Sequence, residues 1–82
     1  MNASIPEIDL HGYSRFEAKK IIYEKVKEYR KRGIFLIKVI HGYNNGDTIK
    51  KWIINSLDLK KELCIRKVEQ DVINPGATFL YL

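Results

Sequence analysis

The stretch IFLIKVIHG, residues 34–42, decides the fold. Ile34, Phe35, Leu36, Ile37, Val39 and Ile40 make it almost continuously apolar and rich in β-branching, interrupted only by Lys38. Such a run reads as a strand buried on both faces, as in a central parallel position. It stops at His41-Gly42. A shorter run, IDLHG at residues 8–12, stops the same way at His11-Gly12. Here Ile8 and Leu10 alternate with Asp9 and His11, the period of a two-faced strand. The chain has two histidines, and each stands before a glycine at the end of a strand pattern.

What lies between them is punctuated as a helix. Ser14 is an N-cap, and Glu17 three residues on completes a capping box. Tyr13 stands where a hydrophobic staple would pack on Ala18. Ala18, Ile22, Val26 and Tyr29, with Ile21 beside them, give one apolar face. Gly33 follows the last basic residues and closes the helix. A crossover helix joining two strands of one sheet makes those strands parallel. His11 and His41 then both sit at carboxyl ends of parallel strands, where open α/β sheets bind ligands.

Beyond residue 42, YNNGD (residues 43–47) is a turn-rich loop with Asp47 as an N-cap. TIKKWIINSLD (48–58) reads as a second helix, with Ile49, Trp52, Ile53, Ser56 and Leu57 at helical spacing. CIRKVEQDV (64–72) and ATFLYL (77–82) read as two strands joined by the turn INPG (73–76), an antiparallel hairpin. The order is β-α-β-α-β-β.

The 82 residues form one domain over 1–82, with 1–6 a loose N-terminal segment. A single cysteine, Cys64, rules out an internal disulfide and fits a reducing, cytoplasmic setting. No apolar run is long enough to span a membrane, and the start lacks the basic and apolar regions of a secretory signal.

The formal net charge is +5. Residues 15–32 carry eight basic side chains (Arg15, Lys19, Lys20, Lys25, Lys27, Arg30, Lys31, Arg32) against three acidic ones (Glu17, Glu24, Glu28), which equals the excess of the whole chain. Clustered positive charge favours polyanions, nucleic acid first. The competing reading is a solvated lysine-rich helix face.

Asp9 and His11, two apart on a strand, project from the same face. An Asp beside a His can orient the imidazole for acid–base work, share a metal ion with it, or form a structural pair. His41 brings a second imidazole to that edge. The three make a conceivable metal set, but no close ligand spacing supports one, so a divalent metal stays an open expectation. The loop HGYNNGD (41–47) runs into a helix start and offers backbone N–H groups to a phosphate. It lacks the Walker frame. Tyr13 and Tyr43 each follow an HG pair and suit stacking on a base. Trp52 and Cys64 read as structural.

Taken together, IDLHG, the EA pair at Glu17-Ala18, HGYNNGDTIKKW and PGATFLYL, in this order, resemble the Smr (small MutS-related) domain family from Ile8 to Leu82. The resemblance implies an α/β two-layer sandwich similar to the C-terminal domain of translation initiation factor three. It further implies nucleic-acid association and, for several members, endonuclease activity on DNA or on mRNA at stalled ribosomes. DNA or RNA, and the ribosome, are thus the implied partners. The residues held to matter for cutting map onto Asp9 and His11, and the loop residues onto His41, Gly42 and Gly46. Asn44 replaces a glycine of the family loop, and Lys50 takes the place of its arginine.

The candidate catalytic residues are therefore Asp9, His11 and His41. The candidate nucleic-acid contacts are Gly12, Arg15, Lys19, Gly42, Tyr43, Asn44, Gly46 and Lys50. The rival expectation is a non-catalytic nucleic-acid or ribosome-binding module using the basic helix and the loop.

Overall fold

The computed structural model describes residues 5–42 and 47–82, and only the backbone at 47 and 48. Its elements run β1 (Glu7–Asp9), α1 (Arg15–Lys31), β2 (Leu36–Ile40), α2 (Asp47–Asn55), α3 (Leu57–Glu62), β3 (Lys67–Gln70) and β4 (Ala77–Tyr81). One sheet holds all four strands in the order β1-β2-β4-β3. β1 and β2 are parallel, with Ile8 opposite Val39 and Asp9 opposite Ile40. β4 enters antiparallel between β2 and β3, with Ile40 opposite Ala77 and Val39 opposite Thr78.

Side chains alternate across this sheet, and one face meets the helices. Ile8, Leu10, Ile37, Val39 and Leu80 pack there against Ala18, Ile22 and Val26 of α1, Ile49 and Ile53 of α2 and Leu59 of α3. The apolar face read from the sequence of α1 is thus the one that packs. Burying side chains of this size contributes about 1.5–3 kcal/mol each.

The expectation that β2 is buried on both faces is corrected. Ile37 and Val39 are fully buried, but Leu36, Lys38 and Ile40 are only partly covered. No helix lies on that side among the described residues. Side chains of the neighbouring strands cover it instead. Lys38 extends over the Phe79 ring (5.8 Å) to pair with Asp71 at 3.4 Å, which ties β2 to the end of β3.

The second helix is interrupted. Ser56 takes an extended conformation (φ −79°, ψ 107°), and its hydroxyl accepts from the Leu59 N–H, so it ends α2 and caps α3. Lys60 Nζ donates to the Ile54 carbonyl at 2.9 Å, satisfying an end group of α2. Side chains of α1 bond to α3 and to the turn after it. Tyr23 Oη donates to Glu62 at 2.6 Å, and Arg30 donates to the Leu63 carbonyl at 2.5 Å and the Cys64 carbonyl at 3.3 Å. Arg30, counted in the basic cluster, thereby serves the fold. Cys64 was expected to open β3. It lies instead, exposed, in the turn after α3 with φ +53°.

Candidate functional site

β1 ends at Asp9, and the next two residues turn the chain toward α1. The Asp9 carboxylate captures that turn. Its Oδ1 accepts from the His11 backbone N–H at 3.1 Å and sits 2.5 Å from His11 Nδ1. Both bonds favour the ionised carboxylate. They hold the Asp9 pKa below its ordinary value, the ring contact contributing most. An ionised carboxylate only accepts, so Nδ1 carries the hydrogen. In the neutral ring Nε2 is then the acceptor, on a side chain 71% exposed. Asp9, His11, Gly12 and Tyr13 together line a shallow hollow at the carboxyl edge of the parallel strands.

His41, at the adjacent strand end, is placed differently. The sequence puts both rings on one solvent-facing rim, and the structure does not. β2 alternates, so His41 turns to the packed face and is 1% exposed. Its Nδ1 lies 2.7 Å from the Gly42 carbonyl, which can only accept, so that nitrogen carries the proton. Its Nε2, 2.9 Å from Thr78 Oγ1, receives the hydroxyl's hydrogen. Burial lowers the His41 pKa, the bond to Gly42 opposes this, and the charge of Lys50 adds to the lowering. His41 is a neutral interior imidazole with both nitrogens engaged.

Glycines pack between the two strand ends. Gly42, at φ +77°, lies against His11, and a Cβ there would stand 3.6 Å from His11 Cβ. The Gly76 carbonyl accepts from the N–H groups of both His41 (2.9 Å) and Gly42 (3.0 Å). A Cβ on Gly76 would meet the Gly42 backbone and Asn74 Oδ1 at 3.3 Å, so a side chain there would press on the end of β2. Thr78 and Gly76 were not singled out from the sequence. Their signal was the small-residue run Gly76-Ala77-Thr78 at the start of β4, opposite the end of β2.

Of the remaining candidates, Arg15 and Lys19 line a groove between α1 and the α2–α3 pair, and Lys50 lies in the first turns of α2 near His41. Tyr43, Asn44 and Gly46 fall outside the described residues. α2 begins at Asp47 itself, so its cap position lies outside them as well. Among the described residues no three His, Cys, Asp or Glu side chains converge as a metal site. Asp9, His11 and His41 do not meet as one.

Fold and site define a class: a small two-layer α/β domain with a carboxylate–imidazole couple at the carboxyl edge of its parallel strands. The Smr domain model matches residues 8–82, and the chain belongs to that family. Its fold resembles the crystal structure of the Smr domain of Thermus thermophilus MutS2. That match has a TM-score of 0.82 and 21% identity, covering 95% of this chain and 98% of that one. It also resembles YdaL, a stand-alone small MutS-related protein from Escherichia coli, with a TM-score of 0.69 and 14% identity. There it covers 98% of this chain and 68% of that one. No curated protein sequence matches the chain.

Proposed function

We propose that this Smr domain binds nucleic acid and cleaves its phosphodiester backbone with Asp9 and His11. The observation that carries this is the couple itself: Nδ1 tied to an ionised carboxylate and Nε2 free at the surface. That is the arrangement of a general base whose tautomer and orientation are held from behind.

RNA suits this equipment best, because it brings its own nucleophile. His11 Nε2 takes the proton of a 2′-hydroxyl, the 2′-oxygen attacks the adjacent phosphorus, and the 5′-oxygen departs, taking a proton from water. The products are a 2′,3′-cyclic phosphate and a 5′-hydroxyl. Asp9 stabilises the imidazolium that forms. DNA, lacking the 2′-hydroxyl, needs a water nucleophile held by some further group. His41 acts one layer back. It fixes the Gly42 carbonyl and the strand end against which His11 rests.

The test separates cutting from binding, with RNA and DNA substrates and with and without chelator. His11→Ala lowers RNA cleavage by about 10²–10⁴-fold with binding retained. A 2′-deoxy substitution at the scissile nucleotide abolishes it. Cleavage that survives both His11→Ala and Asp9→Asn removes the assignment. One observation favours the second reading, a binding module that does not cut. With His41 buried, the described residues offer a single acid–base couple in an open hollow. Binding by a wild-type chain that cleaves neither polymer selects it.

A further inference from the structure

The groove between α1 and the α2–α3 pair is outside the Asp9–His11 hollow, and the proposed reaction makes no use of it. Arg15, Phe16 and Lys19 form one wall, Trp52, Asn55 and Ser56 the other, and Asp58 stands at the rim. Phe16 is its unusual member. It is 84% exposed on the first turn of a helix whose apolar face is fully used elsewhere. Residues three and four apart share a helix face, so Lys19 neighbours both Arg15 and Phe16, and the exposed ring has a cation beside it. Lys19 lies 5.6 Å over the Tyr23 ring, which holds its stem along α1. Trp52 packs against the core and leaves part of its surface in the groove.

We propose that this groove is a base-stacking site for an unpaired segment of nucleic acid. Phe16 is the stacking face, Arg15 and Lys19 take the flanking phosphates, and Trp52 stands on the opposite wall. Aromatic faces interleaved with cations are what a single strand requires, since each base has a π-face and each linkage a charge. A duplex hides its base faces and gains only the charge contacts. The groove and the Asp9–His11 hollow are separate, but the chain that lines the hollow runs directly into the helix that lines the groove. Tyr13, 47% exposed and lining the hollow with His11, stands three residues before Phe16, just ahead of the Ser14 cap. Four residues of chain lie between His11 and Phe16, so their Cα atoms are at most about 17 Å apart. A strand seated on Phe16 therefore reaches the Asp9–His11 couple within a few nucleotides. Asp58 repels phosphate from the α3 side and directs the backbone along α1. The inference rests on the nucleic-acid reading above and specifies which form of the polymer is held, and where.

Trp52 is the chain's single tryptophan and reports directly on the groove. The whole chain carrying His11→Ala, which keeps the ligand intact, is titrated with a short single-stranded RNA and with the same strand annealed to its complement. The single strand quenches Trp52 emission and the duplex does not. Phe16→Ala, at an exposed position that leaves the fold unchanged by circular dichroism, weakens single-strand binding about tenfold, the loss of one stack. Asp58→Asn strengthens it. Equal quenching by duplex and single strand overturns the proposal. So does unaltered affinity in Phe16→Ala, or the absence of any Trp52 response, which would leave Phe16 as a contact for a protein. Cleavage by the His11-containing chain is read separately. Loss of the groove with cleavage intact refutes this inference alone, and a responsive groove without cleavage refutes only the dyad's catalytic role.

Discussion

His11 and His41 are each followed by Gly-Tyr in sequence, yet have opposite fates in space. Asp9 and His11 are joined by local geometry, two residues apart at a strand end, and remain at the surface. His41 sits at an inward position of β2, where only the neutral ring is tolerated. The two respond differently to substitution. His11→Ala leaves stability within about 0.5 kcal/mol, because the side chain is exposed. His41→Ala costs about 2–4 kcal/mol by loss of packing and of two buried hydrogen bonds. Urea unfolding of both variants checks this.

The lowered His41 pKa has a definite sign. Below the ordinary histidine value of 6.5, the unfolded chain takes up a proton that the folded ring refuses. Folding stability therefore falls as pH drops from about 6.5 toward the folded value. In His41→Gln that part of the dependence disappears, as denaturant midpoints between pH 5 and 7.5 will show. The lowered Asp9 pKa acts in a separate window. Its stabilisation is present above 3.8 and is lost only as pH falls through the folded value.

Among the elements, α1 was the most legible. Ser14 and Glu17 form the expected capping box, with Ser14 Oγ accepting from the Glu17 N–H and Glu17 Oε1 accepting from the Ser14 N–H, each at 3.1 Å. The motif lies within four residues, so it needs no knowledge of the rest of the fold. The break at Ser56 went unread, because Ile53, Ser56 and Leu57 keep helical spacing straight through it. Only the hydroxyl's choice of the Leu59 N–H ends the helix there. Arg30 could not be assigned from sequence either, since its partners lie more than thirty residues away. Arg30→Ala is predicted to cost about 1–3 kcal/mol by leaving the carbonyls of residues 63 and 64 unpaired. At the strand crossing, Gly76→Ala pushes β4 off the Gly42 backbone. It lowers both stability and RNA cleavage, whereas Gly33→Ala, with open space around it, lowers stability alone. Thermal melts paired with cleavage assays separate the two.

Across the whole molecule, charge is distributed along α1 rather than gathered at the hollow. The 17-residue helix is about 25 Å long, so its two ends face different things. Arg15 and Lys19 flank the groove, while Arg30 is used structurally and Lys31 lies at the far end. Each phosphate contact contributes about 0.7 to the salt slope of single-strand binding. Arg15→Gln with Lys19→Gln is predicted to lower that slope by about 1.4, and Lys31→Gln to leave it unchanged. A sodium chloride titration of affinity decides between them.

The strand count and the place of α1, the parallel β1–β2 pair, the terminal hairpin, the cap of α1 and the Asp9–His11 couple all follow from signals spanning a few residues or one crossover. The sequence by itself determined these. Where β4 lies was decided only in three dimensions. Nothing local says that the last strand inserts between β2 and β3, because strand partners are chosen by burial summed over the sheet. That insertion places Thr78 beside His41 and Gly76 beneath Gly42. One imidazole is thereby held inside and the other stays in water, so two similar motifs become an interior support and a solvent-facing carboxylate–imidazole couple.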